Sequence, residues 1–414
     1  MNLLENGLVE KFIFKTENKK KLVIGNIPKD YPVYRIRLDK LFYNDQNDRI
    51  STWISEYKLK NNIDKIDYSD RESYNKIIHG FITDSNSDAM KKTQQNIEKI
   101  GQIEAGVVLA DGRIIDGNRR FTCLRNIQEK NKEVQYFEAV ILDYSIEHNE
   151  KQIKMLELML QHGVEEKVGY SPIERLVGIY HDIVETKLLT IAEYAKSVND
   201  TEKNIAMEVE KAKLLAEFLE FINADKQFHL ARHLELVDPL KELYSMLKKI
   251  NDEETKDDLK NAVFSQFICK PTGDLTRYTR KIKDIANNPK HLKDYLEEQL
   301  PIVEKVCDNL EEVDQLTDKK IGEIGENKEI KEGFSRITEK YVSRVAGDIT
   351  RNAPLRSVEK ACYALDEIDL RILHKLKDEQ IEDLTKRIST LEAIIQKVKE
   401  EISELWFKAS IRRC

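Results

Sequence analysis

The first third of the chain carries short apolar runs with the spacing of strands. Tyr34-Arg35-Ile36-Arg37-Leu38 alternates polar and apolar residues, the period-two mark of a half-buried strand. Leu22-Val23-Ile24 is a second strand candidate, with Gly25 to Pro32 as a turn and residues 1–21 as a leader ending in Lys19-Lys20-Lys21. Asp39 to Arg49 is polar and turn-rich, and residues 50–75 are expected to open with a short helix around Trp53 and Tyr57 before a charged insertion. Asp88 to Gly101 places Met90, Ile97 and Ile100 at helical intervals, with Gly101 as its C-cap. Ala105 to Leu109 and Arg113 to Ile115 are apolar runs joined by Ala110-Asp111-Gly112, a hairpin signal. A helix over Asn118 to Lys130 and a strand over Phe137 to Leu142 complete this first unit.

Beyond residue 145 the period changes to that of helices. Glu147 to Gly163 carries Ile153, Leu156, Leu158 and Leu160, and Ser171-Pro172-Ile173-Glu174 reads as a capping box with proline at the first helical position. Thr190-Ile191-Ala192-Glu193 is a second box; a short helix, the turn Asn199-Asp200-Thr201 and a longer helix from Glu202 to Leu219 have the shape of a helix-turn-helix. Residues 225–350 read as all helical, with polar breaks at Asn251 to Asp258, Asn287 to Pro289 and Thr317 to Lys331. After Pro354, Ile381, Leu384, Ile388, Leu391, Ile395, Val398, Ile402 and Leu405 recur at three-then-four spacing, a heptad seam that favours two parallel strands. The competing reading of that seam is an amphipathic helix packed on its own chain. The pattern predicts an α+β protein: leader 1–21, compact α+β domain 22–145, helix-turn-helix-like region 146–222, all-α region 223–353, and a coiled-coil-like helix over 354–414.

Composition narrows the function classes. Charged residues make up 35% and aromatics 7% of the 414 residues, and no apolar run is long enough to span a bilayer. The first residues lack the basic, apolar and small-residue segments of a signal peptide. Five cysteines, odd in number and never in a C-x-x-C pair, fit neither a disulfide framework nor a zinc site, and point to a reducing cytoplasm. A net charge of −7 restricts any DNA contact to local patches.

The richest chemistry lies at Asp116-Gly117-Asn118-Arg119-Arg120, where a strand meets a helix. Helix N-termini carry unpaired N–H groups and a positive dipole end, which suits a phosphate. Gly117 permits close backbone approach, Asn118 is a candidate cap, and Arg119 and Arg120 supply planar forks for phosphate oxygens. Asp116 would orient an arginine or hold a metal ion. Elsewhere, Lys203 and Asn204 stand where a recognition helix begins, with Lys211 further along. His229 and His233 have metal-compatible spacing but no third ligand, and read as a helix face. Lys270 to Lys283 gathers five basic residues around Tyr278, either a second phosphate patch or one half of a charge-balanced surface facing Asp252 to Asp258.

The run Ile97 to Arg125 (IEKIGQIEAGVVLADGRIIDGNRRFTCLR) resembles the N-terminal domain of the ParB/sulfiredoxin-like superfamily. Upstream, Ile36 to Leu41 and Asn47-Asp48-Arg49 are similar to the family's first strand and its Asn/Gln-x-Arg; downstream, Leu158 to His162 and Ser171 to Glu174 resemble a diverged Glu-Asn-x-Gln-Arg…Pro-Ile-Glu box. The resemblance covers roughly residues 33–215 and implies a pocket in which Arg49, Gly117, Asn118, Arg119, Arg120 and Gln161 bind CTP or ATP with Mg2+, and DNA contact through the helix-turn-helix; the heptad seam, outside that range, adds a homodimer through 381–405. The family's glutamate and asparagine are replaced by Leu158 and Met159, its arginine by His162, and Gly163 to Gly169 is an insertion. Glu157 stands one residue from the missing acid. These departures keep phosphate binding and weaken the case for CTP hydrolysis. Sulfiredoxin chemistry is not implied, because Asn118 takes the place of the catalytic cysteine and Cys123 reads as core. The alternatives are a ParB-like nuclease or NTP hydrolase of a plasmid, phage or defence system, with Asp116 and Glu157 as catalytic acids, and a non-catalytic scaffold.

Overall fold

The computed structural model describes residues 2–24, 27–144, 146–162, 171–311 and 318–411. It divides into two units, residues 1–345 and 346–414.

The first unit opens on a six-stranded mixed sheet of β1 (Ile13–Ile24), β2 (Ile27–Arg37), β3 (Phe42–Tyr43), β4 (Gly106–Leu109), β5 (Arg113–Asp116) and β6 (Tyr136–Leu142). Their order is β1-β2-β6-β4-β5-β3. The predicted hairpin is present, with β4 and β5 antiparallel, and β4 also pairs with β6 in parallel. Successive side chains on a strand point to opposite faces, and the central strands β4, β5 and β6 share their apolar residues between two cores accordingly. Val107, Leu109, Ile115, Val140 and Leu142 pack on one face with Ile153, Leu156 and Leu160. Val108, Ile114, Ala139 and Ile141 pack on the other with residues of four helices: α1 (Ser51–Asn61), α2 (Arg71–Ser85), α3 (Ser87–Ile100) and α4 (Asn118–Asn131).

Three local expectations are corrected. The stretch read as a leader packs into the α+β domain: Leu3 is buried, and β1 pairs with β2 from Ile13↔Ile36 to Ile24↔Ile27. The polar stretch Thr16 to Lys21 hides this strand because an edge strand is held by backbone hydrogen bonds and tolerates lysines. The region after residue 61 is not simply an insertion, since Asp70 caps α2 and Tyr74, Ile78 and Ile82 enter the core. Finally, Ser171 opens its helix without a side-chain cap. Glu174 is buried instead, accepting hydrogen bonds from Ser51 Oγ at 2.6 Å, from Thr52 N at 3.0 Å and from Thr52 Oγ1.

The helical part of this unit continues through α5 (Ile146–His162), α6 (Pro172–Ile179), α7 (Ile191–Val198) and α8 (Glu202–Phe221). A π-turn, Tyr180–Glu185, follows α6. The capping box at Thr190 and Glu193 forms as read, and Asn199 in the left-handed region turns the chain from α7 into α8. Helices from Phe228–His233 to Lys328–Asp366 share one extended apolar core with α6 to α8. The insertion at Gly163 to Gly169 and residue Thr317 lie outside the described residues.

In the second unit, Pro354 does not start the terminal helix: the 39-residue helix Lys328–Asp366 passes through it. The heptad run sits on a separate helix, Asp378–Ile411. Ile381, Ile388, Ile395, Val398, Ile402 and Leu405 along its seam are 44–64% exposed. Among the described residues no helix is long and apolar enough to cross a membrane.

Candidate phosphate-binding site

Residues read from three separate stretches of sequence line one cavity. Arg49, Gly117, Asn118, Arg119, Arg120 and Gln161, with Asp116, surround a space of about 370 Å³. β5 ends at Asp116 and α4 begins at Asn118, so Gly117 makes the whole turn between them at φ +102°. A Cβ there would lie 2.7 Å from the Phe137 ring and 3.1 Å from Arg120 Nη2, so only glycine fits without displacement. Arg49 is delivered by a 3₁₀ turn, Asp48–Ile50, whose N-cap Asn47 accepts from the Arg49 N–H at 3.0 Å. Gln161 enters from the last turn of α5.

The two arginines of the corner have different surroundings. Arg120 is held: Nη2 donates to Asp116 at 3.2 Å and Nη1 to Glu104 at 2.5 Å, while Lys20 of β1 lies 3.5 Å from Asp116 and 3.7 Å from Glu104. Arg119 is half-buried and has no hydrogen-bond or ion-pair partner among the described residues. Burial first, then the Arg49 charge, pushes its guanidinium below the ordinary value. Cations brought together in a partly dry space favour an anion between them.

Asp116 therefore orients Arg120. Glu157, the other candidate acid, is 2% exposed and lies behind the cavity, accepting from Gln161 Nε2 at 2.9 Å. Neither acid belongs to a group able to hold a metal ion among the described residues, nor do His229 and His233. Asn118 does not cap α4; it is the first helical residue, and its buried Oδ1 has no partner among the described residues. Cys123 is fully buried, which pushes its thiol up to about 11, as suits a core residue.

A buried ionic cluster backs this wall. Lys154 Nζ lies 2.6 Å from Asp48 and 3.3 Å from Asp182 of the π-turn, and His181 Nδ1 is 3.2 Å from Asp182. Gly178 makes the room, since a Cβ there would meet Asp48 Cγ at 2.7 Å. Lys20, Glu104 and this cluster were not singled out from the sequence. Isolated charged residues carry no spacing signal until the fold brings them together. The opposite cavity wall, including Ile82, Ser85, Thr93, Asn96 and Ile103, comes largely from α2, which the sequence reading did not find, and from α3.

The other candidate residues are distributed elsewhere. Lys203 is exposed at the start of α8, but Asn204 Nδ2 donates to Asp200 at 2.8 Å and Lys211 is paired with Glu208 at 2.5 Å. In the basic stretch Tyr278 is buried, Arg280 and Lys283 both pair with Glu242, and Lys281 pairs with Glu339. That is the charge-balanced surface, with partners other than the Asp252 to Asp258 run. Among known proteins, no family model matches this chain and no curated protein matches it significantly.

Proposed function

We propose that the chain is a ParB-like, DNA-associated protein whose N-terminal ParB/sulfiredoxin-like domain binds a nucleotide. The observation carrying this reading is the convergence of Arg49, Gly117, Asn118, Arg119, Arg120 and Gln161 on one cavity. The cationic end, at the N-terminus of α4, suits phosphates. The wall with Ile82, Ile103, Ser85, Thr93 and Asn96 offers apolar and hydrogen-bonding surface to a base. CTP and ATP both match that chemistry. Asp116 is engaged with Arg120 and Glu157 is buried behind the cavity, so these residues favour binding over turnover, and no hydrolytic step is assigned to either. Lys203 is an exposed cation at the start of the helix-turn-helix's second helix, and the exposed seam over 381–405 suits pairing with a second copy of the chain.

Calorimetric titration with CTP, ATP, GTP and UTP tests the pocket. Each charge-assisted contact to phosphate contributes about 1.5–3 kcal/mol, so Arg119→Ala/Arg120→Ala is expected to weaken the best ligand by at least roughly a hundredfold. Unchanged affinity in that variant overturns the assignment. Metal-dependent cleavage of plasmid DNA lost in Asp116→Ala would favour the nuclease instead. For the coil, Ile388→Lys/Ile395→Lys is expected to sediment as a monomer where the wild type sediments as a dimer.

A further inference from the structure

Glu157 and Gln161 stand one helical turn apart on α5, one behind the cavity and the other lining it. Gln161 Nε2 donates to Glu157 Oε1 at 2.9 Å, while Gln161 Oε1 is buried with no partner among the described residues. This orientation satisfies a carboxylate, which only accepts. It also leaves the acceptor end of the amide buried and unused on a residue that lines a cavity with three arginines, where an anion would want donors. The two ends of a primary amide are nearly the same size, so exchanging them requires only a half-turn of the terminal torsion.

We propose that a proton on Glu157 sets which end of the Gln161 amide is offered to the ligand. An ionised Glu157 accepts from Nε2 and leaves Oε1 free. A protonated Glu157 donates to Oε1 and frees the Nε2 hydrogens for a phosphate or sulfate oxygen. Glu157 is thus a positioning residue that makes anion binding proton-linked. The inference rests on the anion-binding reading of the cavity.

The surroundings of Glu157 support a proton there at accessible pH. Burial acts first, and the acids Asp48 from the 3₁₀ turn and Asp182 from the π-turn add to it. Lys154, on the same helix, opposes them, but its charge is shared between Asp48 and Asp182. His181 pairs with Asp182, and Tyr194 of α7 places a buried, unpartnered hydroxyl among the described residues near the same acids. The result pushes Glu157 up to about 8. By linkage, an anion that prefers the donor form raises this value further, and its affinity falls as pH rises through that range.

The test is sulfate binding by calorimetry between pH 6.5 and 9.5, in paired buffers of different ionisation enthalpy, because sulfate keeps one charge throughout. Wild-type protein should take up protons on binding near pH 8 and lose about tenfold in affinity across the range, the equivalent of one charge-assisted hydrogen bond. Glu157→Gln, which cannot ionise, should lose both the proton uptake and the slope. Gln161→Leu should bind at neutral pH as weakly as the wild type does at pH 9.5, with a flat profile. A wild-type slope retained in Glu157→Gln or in Gln161→Leu, or no wild-type slope, overturns the inference while Arg119-dependent binding stands. No sulfate binding at any pH overturns the cavity reading along with it.

Discussion

Replacing Lys154 with methionine is expected to destabilise the first unit by about 3–5 kcal/mol, the range for removing one partner of a buried ion pair. Lys154 is 6% exposed and Asp48 5%, and Lys154 also serves Asp182, which is 1% exposed. Methionine fills the volume of the side chain but leaves Asp48 buried without its counter-charge and Asp182 with His181 in place of the lysine. The same attraction explains why Lys154 is pushed above its ordinary value although burial alone acts in the opposite direction. Thermal unfolding measures the effect, with a fall in Tm of roughly 5 °C expected. Lys154→Met/Asp48→Asn should recover part of the loss, because it removes the stranded charge. Equal Tm values for wild type and Lys154→Met would show that the cluster does not hold the π-turn and the 3₁₀ turn together.

Gly117→Ala is the second large effect, expected at about 2–5 kcal/mol. A non-glycine residue in the left-handed region costs about 1–2 kcal/mol, and overpacking adds about 1–3 kcal/mol. Here both apply: φ is +102°, and the new Cβ would sit 2.7 Å from Phe137, itself fully buried. Because Arg120 Nη2 is 3.1 Å from the same point, relief of the clash would move the arginine away from Asp116 and Glu104. Stability should therefore fall together with affinity for the proposed nucleotide. Gly80→Ala is the control: nothing lies within 4 Å of the added Cβ in α2, and alanine is the better helix former. It should leave both quantities unchanged or raise the Tm slightly. Unaltered stability in Gly117→Ala would mean that the corner relaxes more freely than its packing implies.

The contrast between these two sites also separates what is local from what is not. The corner was legible because strand, glycine and arginines are consecutive, and local turn chemistry fixes how consecutive residues are arranged. The hairpin at Asp111-Gly112, the Thr190 box and the α7-turn-α8 sequence were legible for the same reason. Of β1 only the end, Leu22 to Ile24, was legible, because its polar middle is held by an edge-strand ladder and leaves no apolar alternation to read. The Ser171 box failed because a carboxylate that would cap its own helix found three donors at the start of α1 instead.

By itself, the sequence determined the α+β-then-helical order, the phosphate-suited corner and the heptad register, all properties of residues close in the chain. Tertiary structure alone decided that Arg49 and Gln161 face that corner and that Arg120 is latched by Glu104 and Asp116 while Arg119 is not. It also decided that Lys154 is buried between two acids. Apart from the Asp116–Arg120 contact, which spans one helical turn and is local, those outcomes depend on distances between residues 16 to more than a hundred positions apart, and pairing and packing set such distances.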